Sequence, residues 1–219
     1  SGNHGTAVAY TAKKLGLRST VVVPKWAVEE KVQAIREYGG EVVQQGETTA
    51  ELWQKVQEIQ SKTGAAFIHP FADPEVMAGQ GTIGLEIIED LPDVDSIIVP
   101  IGGGGLISGI STAVKNLDSE AKVYGVQAEG STAAYQAYKT GQIVTVEPRT
   151  IADGLRPSAT AETCLQLMRK YVDDIMLVSD DSIRKALREF VSKARFLAEA
   201  SGVAPLAAVL TGKYAPRKK

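Results

Sequence analysis

Hydrophobic and polar positions along the chain alternate between two periods. Residues 6 to 15 (TAVAYTAKKL) place Ala, Val and Leu at helical spacing after a Ser/Gly/Asn opening, which predicts a helix that follows a tight turn. Ser19-Thr20-Val21-Val22-Val23, ended by Pro24, is a short β-branched run of the kind that forms a buried strand. The alternation recurs with a helix over about 27 to 38, a strand near 41 to 43, a helix over about 49 to 62 and a strand around Ala66-Phe67-Ile68. Strands alternating with amphipathic helices predict parallel βαβ units and an α/β fold class.

The same rhythm continues through the second half. Residues 74 to 90 predict a helix interrupted by Gly79-Gln80-Gly81 and closed by Leu91-Pro92. Asp95 to Ile101 is a buried strand that runs directly into Gly102-Gly103-Gly104-Gly105, and Leu106 to Leu117 reads as the helix after it. Then come a strand from Lys122 to Ala128, a helix over 131 to 139, and an irregular stretch over 141 to 158 of a length that tends to sit near sites. A helix over 160 to 172, a strand over 174 to 178 and a helix over 180 to 197 complete the pattern. In that last helix Ile183, Ala186, Leu187, Phe190, Val191, Ala194 and Leu197 recur at intervals of three and four, predicting one core-facing stripe. Two βαβ groups flank Leu91-Pro92-Asp93, so a small domain is expected over 1–91 and part of a larger one over 92–219.

Composition narrows the function classes. With 24 Lys plus Arg against 26 Asp plus Glu the net charge is -2, which leaves no basic footprint for nucleic acid. The one run of like charge, Arg217-Lys218-Lys219, reads as a solvated tail. A single cysteine, Cys164, excludes a disulfide framework and a multi-thiolate metal site, and fits a reducing compartment. No stretch approaches the ~18 to 20 apolar residues of a membrane span, so a soluble, cytoplasmic protein is expected. The chain opens on Ser1-Gly2-Asn3-His4-Gly5 without an initiator methionine, which reads as an upstream segment having been removed.

The strongest candidate for chemistry is the glycine run. Four glycines between a buried strand and a helix leave bare backbone N–H groups free to converge on an anion, with the positive end of the helix dipole behind them. A phosphate is the natural guest. The dinucleotide spacing fails, because Ile107 and Ser108 stand where its third glycine would fall, and the Walker pattern fails, because Ile110 and Ser111 follow Gly109. Glu129 at the end of the next strand mimics a ribose-binding acid, which keeps a nucleotide-binding module as a minority reading.

Ser1-Gly2-Asn3-His4-Gly5, Met77-Ala78-Gly79-Gln80-Gly81-Thr82, Pro100 to Leu106 with its four glycines, Thr150-Ile151-Ala152-Asp153-Gly154 and Glu199-Ala200-Ser201-Gly202-Val203-Ala204 occur together in this order. The set resembles the fold-type II pyridoxal-phosphate enzymes, and the four glycines resemble their threonine/serine dehydratase and serine racemase branch. That resemblance implies a three-layer αβα architecture with two open, twisted, mostly parallel sheets, similar to the tryptophan synthase beta chain. It implies pyridoxal 5'-phosphate as cofactor, held at its phosphate by the amides of Gly102, Gly103, Gly104 and Gly105 with Leu106 beside them, and at its ring hydroxyl by Asn3. Ser1, Gly2 and His4 would frame the substrate carboxylate. Ser1 also falls where serine racemases carry an acid/base serine and many dehydratases have alanine.

By the same resemblance a divalent cation, Mg²⁺ or Ca²⁺, would sit on Glu129, the carbonyl of Ala133 and an aspartate at position 135. Tyr135 stands there instead, a poor substitute for a hard carboxylate ligand, so the family's metal site is in question and Glu129 reads equally as a helix cap. The family's Schiff-base lysine belongs to a Ser-Phe-Lys-type segment upstream of the opening turn, and none of the fifteen lysines here sits in that context. The implied activity is dehydration and deamination of L-threonine or L-serine to a 2-oxo acid and ammonia, by a homo-oligomer in the intact parent. Serine racemization, or a non-catalytic fragment that keeps only the phosphate-binding loop, are the alternatives.

Overall fold

A computed structural model describes residues 2–117 and 120–216, and within it the chain forms two compact units, Ser1–Pro70 and Phe71–Lys219. Ser1 and the Arg217-Lys218-Lys219 run lie outside the described residues. The division falls ahead of residues 74–90, not at Leu91-Pro92, because that helix packs within the second unit.

The first unit runs α1 (Gly2–Lys14), β1 (Thr20–Val23), α2 (Glu29–Glu37), β2 (Glu41–Gln44) and α3 (Thr49–Thr63). Strands β1 and β2 pair in parallel from Thr20 opposite Glu41 to Val23 opposite Gln44. Ala9, Val21, Val23, Val32 and Ile35 make the core between them and the helices. The opening Gly2-Asn3-His4-Gly5 is the first turn of α1 itself rather than a turn before it. Gly5 explains how that turn reaches the sheet, since a Cβ there would lie 2.6 Å from Val21 Cγ1. A reciprocal Thr48/Glu51 capping box starts α3, and Gly64 at φ 69° ends it. The expected strand at Ala66-Phe67-Ile68 does not form. Its side chains are committed elsewhere: Phe67 meets Trp53 edge-on at 5.2 Å, and His69 stacks on Trp53 at 5.2 Å.

The second unit runs α4 (Pro74–Asp90), β3 (Ser96–Pro100), α5 (Gly105–Asn116), β4 (Lys122–Ala128), α6 (Ala133–Thr140), α7 (Glu162–Tyr171), β5 (Asp174–Val178), α8 (Asp180–Ala194) and α9 (Ala204–Leu210). A parallel sheet of order β3-β4-β5 lies between two apolar layers. One side buries Met77, Ile107, Ile110, Val114, Cys164 and Met168 from α4, α5 and α7. The other buries Ile183, Ala186, Ala204, Ala207 and Ala208 from α8 and α9. This is the αβα layering expected of the fold class.

Glycine sets how closely the first layer packs. Gly79-Gln80-Gly81 does not interrupt α4, which is continuous and capped by Asp73 accepting from the amides of Glu75 and Val76. Gly81 and Gly84 instead lie against the backbone of α5, where added Cβ atoms would be 3.1 Å from the carbonyl oxygens of Gly109 and Ile110. Gly109 answers from the other helix, 2.2 Å from Met77 O by the same measure. At the far end of the unit, α8 stops at Ala194 because Arg195 takes a left-handed conformation, φ 59°. The predicted core stripe ends early: Val191 is 41% exposed within α8 itself, and Leu197, past the turn, is 92% exposed.

Asp173, between α7 and β5, ties that connection to α5 and β4. It pairs with Lys115 of α5 at 2.9 Å and Lys122 of β4 at 3.1 Å, and accepts from the Val123 amide at 2.8 Å. Burial acts to raise its carboxyl, and the hydrogen bonds from Lys115, Val123 and Lys122 outweigh it and hold the group below its ordinary value. A carboxylate depressed in the folded state stabilises fully above the unfolded pKa of about 3.9 and loses that contribution as pH falls through the lower folded value. Urea titrations between about pH 6 and pH 2 are expected to show a steeper acid loss for the native chain than for Asp173→Asn, with Asp173→Asn the less stable at neutral pH.

Candidate functional site

The site in the second unit begins where β3 ends. The Ile101 amide still donates to Val126 O at 2.8 Å, continuing the ladder one residue past the strand, and the chain then turns through Gly102, Gly103 and Gly104 into α5. Gly104 is the N-cap at φ 102°, a conformation that side chains other than hydrogen rarely adopt. Among the described residues, the amides of Gly103, Gly104, Gly105 and Leu106 have no protein acceptor. They are the orphan donors of a twelve-residue helix, and its dipole adds positive potential at the same place.

Each glycine is required by what stands behind it. A Cβ on Gly102 would lie 2.5 Å from Gly154 O, one on Gly103 2.5 Å from the Phe71 ring, and one on Gly105 2.6 Å from Phe71 O. On Gly104 it would meet Cys164 Cβ at 3.1 Å, Thr160 Oγ1 at 3.2 Å and Met168 Cε at 3.3 Å. The loop is thus walled in by Phe71, by the 3-10 turn Asp153–Leu155 and by the start of α7. Thr160 Oγ1, 6% exposed, donates to Gly103 O at 2.7 Å.

The wall has its own supports. Gly154 donates its amide to Ser201 Oγ at 2.9 Å, and Ser131 Oγ donates to Leu155 O at 2.6 Å. The irregular stretch over 141–158 so returns to the glycine run, as its length led us to expect, and joins it to Glu199-Ala200-Ser201-Gly202. Cys164 is filler: burial pushes its thiol up, and its Sγ lies 3.3 Å from Phe71 O.

Sequence reasoning placed the glycines and missed Phe71, Thr160 and Ser201 as their supports. Thr160 carries no local signal, because a threonine ahead of a helix reads as a cap. The partner of Ser201 is 47 residues away.

The remaining candidates are placed as follows. In the first unit Gly2 is packed against the Lys31 stem, 2.2 Å from Cδ to an added Cβ. Asn3 is exposed on α1 and lines a groove of about 600 Å³ with Tyr10 and Tyr38. His4 Nε2 is 2.9 Å from Ile68 O, so the ring is engaged by backbone. In the second unit Glu129 pairs with Lys213 at 3.0 Å, Ala133 is buried at the start of α6, and the Tyr135 amide donates to Gln127 Oε1 at 2.9 Å. Among the described residues no group of three or more His, Cys, Asp or Glu could hold a metal ion, and no helix is long and apolar enough to cross a membrane.

The family model for pyridoxal-phosphate dependent enzymes matches residues 1–219. L-threonine ammonia-lyase of Thermotoga maritima is 42% identical over 211 residues, 96% of this chain and 53% of that protein. The catabolic L-threonine dehydratase TdcB of Escherichia coli K12 is 42% identical over 214 residues, 97% and 65% respectively. Among solved structures, a threonine deaminase from T.th. superposes with a TM-score of 0.94 at 38% identity, covering 99% of this chain and 72% of that one. Maize serine racemase also reaches 0.94, at 35% identity, covering 97% and 64%. The chain spans about half to two thirds of the length of these curated relatives.

The packing predicts opposite outcomes at two glycines. Gly102→Ala drives a methyl into a backbone oxygen and is expected to cost about 2 to 3 kcal/mol. Gly79→Ala meets nothing within 4 Å on α4 and is expected to be neutral or to stabilise by up to about 1 kcal/mol. Urea midpoints of the two variants check both.

Proposed function

We propose, from the premise that this chain belongs to the pyridoxal-phosphate-dependent enzyme family, that it binds the cofactor's phosphate at Gly102–Leu106 and serves a threonine/serine ammonia-lyase. The observation that carries this reading is the run of amides at the head of α5 that have no protein acceptor among the described residues, in glycines that have no room for side chains. Such a cradle suits a compact dianion. When bound, pyridoxal phosphate supplies an electron sink that labilises the bonds at an amino acid's α-carbon.

The residues of this chain would bind and orient. Gly103 to Leu106 hold the phosphate by N–H donation and by the α5 dipole. The Asp153–Leu155 turn keeps the loop in register through the contact of Gly154 with Gly102. The family resemblance assigns Asn3 of the first unit to the ring hydroxyl, and Ser1, Gly2 and His4 to the substrate carboxylate. No lysine of the chain is assigned the role of carrying the cofactor. The substrate class follows the relatives: L-threonine or L-serine, which loses its β-hydroxyl as water to give an enamine, whose hydrolysis by one water then releases ammonia and leaves a 2-oxo acid. Racemization of serine is the second reading, favoured by the superposition on maize serine racemase.

Two measurements test this. Titration of the purified chain should show saturable binding of pyridoxal 5'-phosphate, competed by inorganic phosphate, with pyridoxal at least tenfold weaker. Equal affinity for pyridoxal and its phosphate would contradict the assignment of the glycine run. In the full-length protein, L-threonine should yield a 2-oxo acid and ammonia; formation of D-serine from L-serine without release of ammonia would favour the racemase instead.

A further inference from the structure

Four glycines in succession leave a question that the packing alone does not answer. A glycine run carries no side chain to select one peptide orientation over its flipped alternative, in which a carbonyl would point where an amide is needed. For an anion cradle the difference is a change of sign, from donor to acceptor. We propose that Thr160 is the positioning residue that selects the orientation, and this rests on the reading of Gly102–Leu106 as a phosphate site.

Thr160 lies just before α7 and is 6% exposed, and its Oγ1 donates to Gly103 O at 2.7 Å. The peptide joining Gly103 to Gly104 is trans, so the Gly103 carbonyl and the Gly104 amide point in opposite directions. Anchoring the carbonyl on the α7 side therefore turns the Gly104 N–H away from α7. Gly104 sits at φ 102°, and the position of its absent Cβ faces Cys164, Thr160 and Met168, so the same residues bound the loop sterically. The hydroxyl also gives a buried carbonyl its partner, one that an apolar side chain of the same shape would leave unsatisfied.

The test compares Thr160→Val, which keeps the shape and removes the donor, with Thr160→Ser, which restores the donor. Inorganic phosphate and pyridoxal 5'-phosphate are titrated against each folded chain while the Gly104 amide is followed by NMR. Thr160→Val is expected to bind both roughly tenfold more weakly and to lose the phosphate-induced shift of the Gly104 amide, and Thr160→Ser to keep the shift and most of the affinity. Native affinity and a native Gly104 response in Thr160→Val would overturn the proposal and leave Thr160 a packing residue. If Thr160→Val does not fold, Thr160→Cys, a weak donor, should bind several-fold more weakly, and unchanged binding overturns the proposal equally. Failure of the native chain to bind either anion would overturn the phosphate site itself, and the role of Thr160 with it.

Discussion

The exclusion of side-chain volume from one turn is the constraint on which the second unit depends. Between β3 and α5 the chain passes Phe71, the Gly154 carbonyl and the start of α7 so closely that Cβ atoms on Gly102, Gly103 and Gly105 would fall 2.5 to 2.6 Å from other atoms. In the same turn the amides of Gly103 to Leu106 have no protein acceptor among the described residues. Structure and candidate function thus meet in one turn, where packing fixes the course of the loop and Thr160 the orientation of its peptide. Ser201 and Thr160 extend the constraint by fixing, respectively, the turn that backs the loop and the loop's own peptide plane.

The alternation of short apolar runs with helical periods made the α/β class and most elements legible from the sequence. So was the glycine run, since a core strand abutting four glycines has few other uses. What could not be read was decided by distant partners. The helix begins at Gly2 rather than residue 6 because Gly5 can lie against Val21. Ala66-Phe67-Ile68 has strand composition, yet Phe67 packs on Trp53 instead of joining a ladder. Gly79-Gln80-Gly81 looks like a helix breaker and is a helix-packing surface, because Gly81 allows α5 to approach. Leu197 keeps the helical interval of its neighbours and is left exposed by the left-handed turn at Arg195.

Among site residues the division is similar. The run of Gly102 to Gly105 marks the proposed site in the sequence itself, whereas the Asp153-Gly154 and Ser201-Gly202 segments carry no local sign of what they touch. The structure supplies the purpose by connecting them, Ser201 to Gly154 and Gly154 to Gly102. Of the residues in the metal expectation, Glu129 is ion-paired with Lys213, and position 135 is a tyrosine whose amide donates to Gln127.

The most direct examination of the central claim is a crystal structure of the chain with pyridoxal 5'-phosphate. The account predicts phosphate oxygens within ~3 Å of the Gly103 to Leu106 amides, with the Gly103 carbonyl still bonded to Thr160. A phosphate bound elsewhere, or a Gly103 carbonyl turned toward it, would contradict the account.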